Sequence, residues 1–171
     1  VNRDPGDILS VQEFLDNAIL ANNYKDRLAQ CYLKNGKHEE AYKLYKELDE
    51  YYMFEPVTKS RMADTLLKMA RSTDNEDIRK EYAEKAKETY LWIKVHAPPQ
   101  TLEGRKEHFD AAFKMAECWE VLGNPEAAKK YLEVLKKHGG VPFPNSEYRE
   151  KLDSLIRDYG EKAAKKTGNE K

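Results

Sequence analysis

Apolar residues recur along the chain at intervals of three and four, the spacing that places them on one side of an α-helix. Three five-residue segments share the same order of large apolar, alanine, polar, small and large apolar residues. They are LAQCY at 28–32, MADTL at 62–66 and MAECW at 115–119. The sequence has no alternating apolar and polar stretch of strand length, so the pattern predicts an all-α fold.

Each segment is followed by a second helix-spaced trio that begins with alanine. The trios are Ala41, Tyr45 and Leu48; Ala86, Tyr90 and Ile93; and Ala128, Leu132 and Leu135. The first and third trios begin 13 residues after the start of their segment, whereas the second is displaced by a further 11 residues in 72–82. Turns at Asn35-Gly36 and at Gly123-Asn124-Pro125 separate the halves of the first and third units. Three helical hairpins are therefore predicted.

This pattern resembles the tetratricopeptide repeat, a helix–turn–helix unit of about 34 residues. The first two segments begin 34 residues apart, and alanines stand where two helix backbones would approach closely. These alanines are Ala29, Ala41, Ala63, Ala86, Ala116 and Ala128. The resemblance implies a right-handed α-α superhelix, a solenoid of antiparallel helix pairs in which neighbouring repeats bury each other's apolar stripes.

The resemblance divides the chain into six segments. We expect a leading helix at 1–21, which could be half of an upstream repeat, followed by repeat 1 at 22–55. Repeat 2 is placed at 56–98 with an insertion of 11 residues near 72–82, and repeat 3 at 99–140. A capping helix at 141–166 and a flexible tail at 167–171 complete the chain.

Composition narrows the classes of function. The 171 residues include 30 Lys and Arg against 31 Asp and Glu, a net charge of −1. This balance disfavours nucleic-acid binding, because that affinity rests on clustered cationic charge. No apolar run approaches the roughly 20 residues that span a bilayer, so we expect a soluble protein without membrane insertion. Because the chain begins at Val1 rather than Met, we expect any targeting signal to lie outside this sequence, and the compartment is not indicated.

Residues that could carry catalysis are sparse. The four histidines have no second ligand at a zinc-binding spacing, and neither a phosphate-binding glycine motif nor a nucleophilic serine motif is present in the sequence. Cys31 and Cys118 occupy the same small position in two repeats, and we expect both to be buried. A reactive thiol is the alternative for either one. We therefore expect no catalysis, no cofactor and no metal.

In the tetratricopeptide repeat family, the stripe of each first helix opposite the core lines a concave groove. Its predicted members are Asp26, Gln30, Leu33 and Lys34 in repeat 1; Asp64, Leu67 and Lys68 in repeat 2; and Asp110, Phe113, Glu117 and Glu120 in repeat 3. Acidic members outnumber basic ones five to two, which favours a basic or neutral polypeptide segment as partner. Chaperone-binding members grip a C-terminal carboxylate with Lys, Asn and Arg. Asp26 and Gln30 stand at the first Lys and Asn positions here, so we expect no such clamp.

The resemblance thus implies a non-catalytic protein-interaction module with an acid-leaning groove. The alternative is a structural or self-assembly spacer within a larger assembly. In that case the repeat ends, or the aromatic cluster of Tyr51, Tyr52 and Phe54, would pack on another copy and form a homo-oligomer.

Overall fold

The structure is a computed structural model that describes residues 5–52, 55–138 and 140–168, with the side chains of 5–12, 14, 15, 167 and 168 left out. Its helices are α1 Pro5–Lys34, α2 His38–Tyr51, α3 Pro56–Ser72, α4 Glu76–His96, α5 Leu102–Val121, α6 Pro125–His138 and α7 Ser146–Gly168. Every regular element in the described ranges is helical, which confirms the all-α prediction. Residues 1–4 of the predicted leading segment, Phe54 of the aromatic cluster, and residues 169–171 of the tail lie outside the described residues.

The chain divides into two compact units, residues 1–54 and residues 55–171. In the first unit α1 packs against α2. Ala29 and Ala41 are fully buried where the two helices meet, so the helix backbones can approach closely. Tyr45 and Leu48 fill the space beside them and are also buried.

Two features of α1 differ from the sequence prediction. The expected leading helix and the first helix of repeat 1 are one continuous helix of 30 residues, because no Gly or Pro interrupts the chain between Pro5 and Lys34 apart from Gly6. The expectation that Cys31 is buried is wrong, since its side chain is exposed. Leu28, the first residue of the LAQCY segment, is exposed as well. Both lie on the side of α1 that α2 leaves uncovered.

In the second unit each helix from α3 to α7 packs against the next, and α3 also packs against α5. The core at the α5–α7 end is formed by large side chains from three helices, among them Phe109, Leu132, Leu152 and Tyr159. Cys118 is buried as predicted. Side chains of α7 also reach α5, where the Tyr148 hydroxyl donates a hydrogen bond to Asp110.

The turns of the two most regular hairpins close in the same way. Gly36 and Gly123 both have φ +72°, a left-handed conformation that favours glycine. The residue after each glycine donates its backbone N–H to the carbonyl five residues back, from Lys37 to Tyr32 and from Asn124 to Trp119, both at 2.9 Å. This is the Schellman closure of a helix end. The turn predictions for these two hairpins are confirmed.

The insertion expected as a long turn near 72–82 is helical instead. Only 73–75 separate α3 from α4, and α4 has 21 residues against 14 in each of α2 and α6. The side chain of Asn75 caps α4 by accepting hydrogen bonds from the N–H groups of Asp77 and Ile78. Glu76 pairs with Lys80 one turn later at 2.8 Å. The inserted residues thus carry their own helix-start signals.

Candidate functional site

An open cleft of about 450 Å³ lies within the second unit, between α3 and α5, and is called here the α3–α5 cleft. Side chains from four helices line it. They are Pro56, Val57, Ser60, Arg61 and Asp64 of α3; Tyr90 and Ile93 of α4; Glu107, Asp110, Ala111, Phe113, Lys114 and Glu117 of α5; and Lys151 of α7. The cleft forms because α3 packs against α4 and α5 while leaving one side of its first turns open.

The floor of the cleft is apolar. Tyr90, Ile93, Ala111 and Phe113 are each at least 97% buried and also belong to the helix packing. The ammonium group of Lys151 lies 4.8 Å from the centre of the Phe113 ring, a cation–π contact that covers part of this ring. Phe113 therefore offers less apolar surface to a ligand than its sequence position predicted.

Asp64 on the α3 wall is tied to the core beneath it. The hydroxyl of the buried Tyr90 donates a hydrogen bond of 2.6 Å to the Asp64 carboxylate. Burial, with the charge of Asp64 next to it, raises the pKa of Tyr90 far above its usual range. The hydroxyl therefore stays protonated and keeps donating at neutral and moderately alkaline pH.

Two further carboxylates stand on the α5 wall. Asp110 is exposed and accepts a hydrogen bond of 3.0 Å from the Tyr148 hydroxyl. Glu107 is half-buried, and desolvation together with the neighbouring Glu103 raises its pKa. The Tyr148 hydroxyl does not neutralise the charge of Asp110. The raised pKa of Glu107 means that its charged form is disfavoured, so a nearby cation would stabilise it. Both groups therefore suit a positively charged ligand.

The remaining acidic residues of α5 are compensated by cations of the same unit. Glu117 forms ion pairs with Arg71 at 2.8 Å and with Lys114 at 3.0 Å. Glu120 pairs with Lys162 and accepts a hydrogen bond from Tyr159, which attaches α7 to the end of α5. These two carboxylates hold helices together, so little of their charge is available to a ligand.

A comparison with family models finds the tetratricopeptide repeat at residues 26–52 and again at 110–138. These two matches support the assignment of the chain to the tetratricopeptide repeat family. The first match covers the end of α1 with α2, and the second covers most of α5 with α6. These are the hairpins that share the glycine turn, and they correspond to the predicted repeats 1 and 3. No curated protein and no solved structure matches the chain.

Tetratricopeptide repeats generally mediate protein–protein interaction, and the family is typically non-catalytic. Among the described residues, no three His, Cys, Asp or Glu side chains converge where they could hold a metal ion. Within the same residues, no helix combines the length and the apolarity that crossing a membrane requires. The general role of the repeat thus favours a surface for another polypeptide as the interpretation of the cleft.

The structure brings together four of the seven site residues predicted in the second unit, Asp64, Asp110, Phe113 and Glu117. Leu67, which was predicted to supply apolar contact, is 2% exposed and does not line the cleft. The packing of α3 against both α4 and α5 covers it. Lys68 is exposed, but neither Lys68 nor Glu120 lines the cleft.

Four charged residues of the cleft were missed by the sequence prediction: Arg61, Glu107, Lys114 and Lys151. Arg61 and Lys114 stand next to the predicted stripe on α3 and α5, and Glu107 continues the α5 stripe by one turn toward the start of the helix. Lys151 comes from the predicted capping helix, which lies outside the three first helices of the predicted groove.

The four predicted residues of α1 belong to the first unit. The amide of Gln30 donates a hydrogen bond of 2.8 Å to Asp26. Leu33 is half-buried, and Lys34 is exposed at the end of the helix.

Proposed function

We propose that the α3–α5 cleft binds a polypeptide segment with basic or neutral side chains. The observation that carries this proposal is the combination of an apolar floor with carboxylates on both walls, in a cleft that is open to solvent. Its volume of about 450 Å³ lies within the usual range of ligand pockets, about 300–1,000 Å³. This space suits a few side chains of an extended or helical segment.

The charge of the cleft supports a modest preference for basic segments. The lining contains four carboxylates, from Asp64, Glu107, Asp110 and Glu117, and three cations, from Arg61, Lys114 and Lys151. Lys114 and Glu117 pair with each other. What remains is a small excess of negative charge, concentrated at Glu107 and Asp110 on one wall and Asp64 on the other. Complementary charge of this size adds selectivity, while the apolar floor accommodates neutral segments.

We extend the proposal to the equivalent face of the first repeat, formed by Asp26, Gln30, Leu33 and Lys34. It is supported by the family match at residues 26–52, which includes all four residues. One acidic and one basic side chain in this set give it no net charge, so contacts there would depend little on the charge of the ligand. Lys68 and Glu120 remain proposed as edge contacts of the second unit.

The charge preference can be measured with three fluorescent peptides of equal length and apolar content. They carry lysine, glutamine or glutamate at the same places, and binding to the full chain is followed by fluorescence anisotropy. We expect affinity to fall in that order, and the lysine peptide to bind more weakly as salt screens the cleft. Tightest binding by the glutamate peptide would refute the charge argument. Absence of binding by all three would refute the cleft as a peptide site.

Isosteric variants locate the binding to the cleft. Glu107→Gln and Asp110→Asn remove charge and keep hydrogen-bond acceptors, so each should weaken the lysine peptide about two- to fivefold and leave the glutamine peptide unchanged. Glu133→Gln is the matched control, because Glu133 is an exposed residue of α6 paired with Lys129 and lies outside the cleft. An equal loss in the control would show that general charge, not the cleft, determines affinity.

A further inference from the structure

The first unit exposes a continuous apolar stripe along α1, called here the α1 stripe. Leu20, Tyr24 and Leu28 are 51%, 63% and 45% exposed, and the Cys31 side chain is exposed as well. Intervals of four, four and three place these side chains on one side of the helix. The opposite side, with Asn22 and Ala29, is the one that is buried. Three adjacent large apolar side chains at the surface of a helix indicate an interaction surface rather than scattered exposure.

The α1 stripe carries opposite charges near its two ends. Asp16 and Lys34 are both exposed and lie 18 residues apart, which is five helical turns, so they flank the same edge of the stripe. Asp16 lies about 12 Å before Tyr24 along the helix axis, and Lys34 lies about 15 Å after it. A helix that packs here in the antiparallel direction should therefore carry a cation opposite Asp16 and an anion opposite Lys34.

A second copy of α1 meets both requirements. We propose that the α1 stripe is a homodimer interface, in which two α1 helices pack antiparallel about a two-fold axis at Tyr24. With the two-fold axis at Tyr24, Asp16 of one copy and the partner's Lys34 lie within about 3 Å of the same height along the helices. Symmetry repeats this pair at the other end. A parallel arrangement would leave Asp16 and the partner's Lys34 about 27 Å apart along the helices and would form neither ion pair.

The proposed axis makes a geometric prediction for cysteine cross-linking. Asn17 lies seven residues before Tyr24, and Cys31 lies seven residues after it. In the proposed dimer, Asn17 of one copy therefore faces Cys31 of the other copy. For helix axes about 8–10 Å apart, facing Cα atoms are about 4–6 Å apart, which is within disulfide range. The Asn17→Cys variant should therefore form a cross-linked dimer on mild oxidation, whereas the unmodified chain should not. Cys118 does not interfere, because burial raises the pKa of its thiol to about 12 and the thiol stays protonated.

Analytical ultracentrifugation of the full chain over a range of concentrations tests the interface directly. We expect a concentration-dependent monomer–dimer equilibrium, and at least about tenfold weaker dimerisation for Leu28→Glu or Tyr24→Glu. Ile19→Glu is the matched control. Ile19 is 49% exposed, nearly the same as Leu20, but it faces about 100° away from it on the same helix. Circular dichroism checks that each variant keeps its helix content.

Charge reversal provides a second readout that misfolding cannot imitate. Asp16→Lys and Lys34→Glu should each weaken the dimer about two- to fivefold, and the double variant should restore it. A monomer at every concentration would overturn the proposal. So would cross-linking of the unmodified chain through Cys31, which indicates a parallel pair, or equal losses for Ile19→Glu and Leu28→Glu. Peptide binding at the α3–α5 cleft uses different residues, so the dimer and the cleft can each fail without the other. Lys34 belongs to both the dimer interface and the proposed peptide face of the first repeat, and Asp16→Lys, Leu28→Glu and Tyr24→Glu test the dimer without changing that face.

Discussion

The hydrogen bond from Tyr90 to Asp64 makes one wall of the cleft depend on the core beneath it, and its strength can be predicted. Tyr90 is 1% exposed, so its hydroxyl has little access to water while the helices stay packed. Replacing Asp64 by alanine leaves a buried donor unsatisfied, and this should lower the free energy of unfolding by about 1–3 kcal/mol. Asp64 itself is only half-buried, so its carboxylate can be rehydrated when the hydroxyl is deleted. Tyr90→Phe should therefore cost less, about 0.5–1.5 kcal/mol.

The double variant separates the hydrogen bond from the other effects of each substitution. Once Tyr90 has lost its hydroxyl, Asp64→Ala removes no further partner, so its additional cost should be small. The coupling free energy from the double-mutant cycle should be at least about 1 kcal/mol, within the range for directly bonded side chains. A coupling of less than about 0.5 kcal/mol, which is the additive result for distant sites, would refute the hydrogen bond as drawn.

Urea unfolding followed by tryptophan fluorescence is the appropriate assay. Both tryptophans, Trp92 and Trp119, belong to the second unit, so their signal reports on the unit that contains the pair. Asp64→Asn completes the series, because its amide oxygen still accepts from the Tyr90 hydroxyl. This variant should lose less stability than Asp64→Ala and should still weaken binding of the lysine peptide. A loss of stability equal to that of Asp64→Ala would show that the charge, not the acceptor, holds Tyr90.

Two further predictions concern the stability of the second unit. Burial lowers the pKa of His108, whose Nδ1 contacts the Lys94 carbonyl oxygen at 3.1 Å. The unfolded chain therefore binds a proton more readily than the folded chain, and the free energy of unfolding should fall as pH drops below about 6.5. His108→Asn keeps a hydrogen-bond donor but does not titrate. It should reduce this pH dependence in urea unfolding measured at several pH values. A Cβ at Gly104 would lie 2.0 Å from the Pro98 carbonyl oxygen, so Gly104→Ala should lower the melting temperature through a cost of about 1–3 kcal/mol. At Gly160 the nearest atom to an added Cβ is a Lys129 side-chain carbon at 3.7 Å, so Gly160→Ala should raise the melting temperature. Equal changes in melting temperature for the two variants would contradict the close approach at Gly104.

Local signals predicted the helices and their closest contacts correctly. The six alanines at the predicted close-approach positions are all fully buried: Ala29, Ala41, Ala63, Ala86, Ala116 and Ala128. The side chain of Asn124 accepts from the Ala127 N–H at 3.0 Å and caps α6, as its place after Gly123 predicted. These features depend on residues within one hairpin, so the spacing along the chain contains the information that determines them.

The composition of the cleft depends on contacts between distant residues and could not be predicted in full. Arg71 pairs with Glu117 across 46 positions, and Lys162 pairs with Glu120 across 42. The sequence shows that these charges exist but not which of them meet, so the excess of acidic charge predicted for the groove was larger than the excess found. The burial of Leu67 could not be predicted for the same reason. It depends on α4 and α5 both packing against α3, and the sequence of α3 alone does not show which of its faces they cover.

The contrast between α1 and α5 shows how one sequence pattern can serve two purposes. The LAQCY and MAECW segments are equivalent, yet Leu28 and Cys31 are exposed whereas Met115 and Cys118 are buried. The pattern specifies an apolar helix face, and the neighbouring helices decide whether that face becomes core. In the second unit α4 and α6 both pack against α5, whereas in the first unit α2 leaves this side of α1 open. Leaving the apolar α1 stripe exposed to water costs free energy. A second α1 helix packed antiparallel would bury this stripe and would place a charge of opposite sign beside Asp16 and beside Lys34.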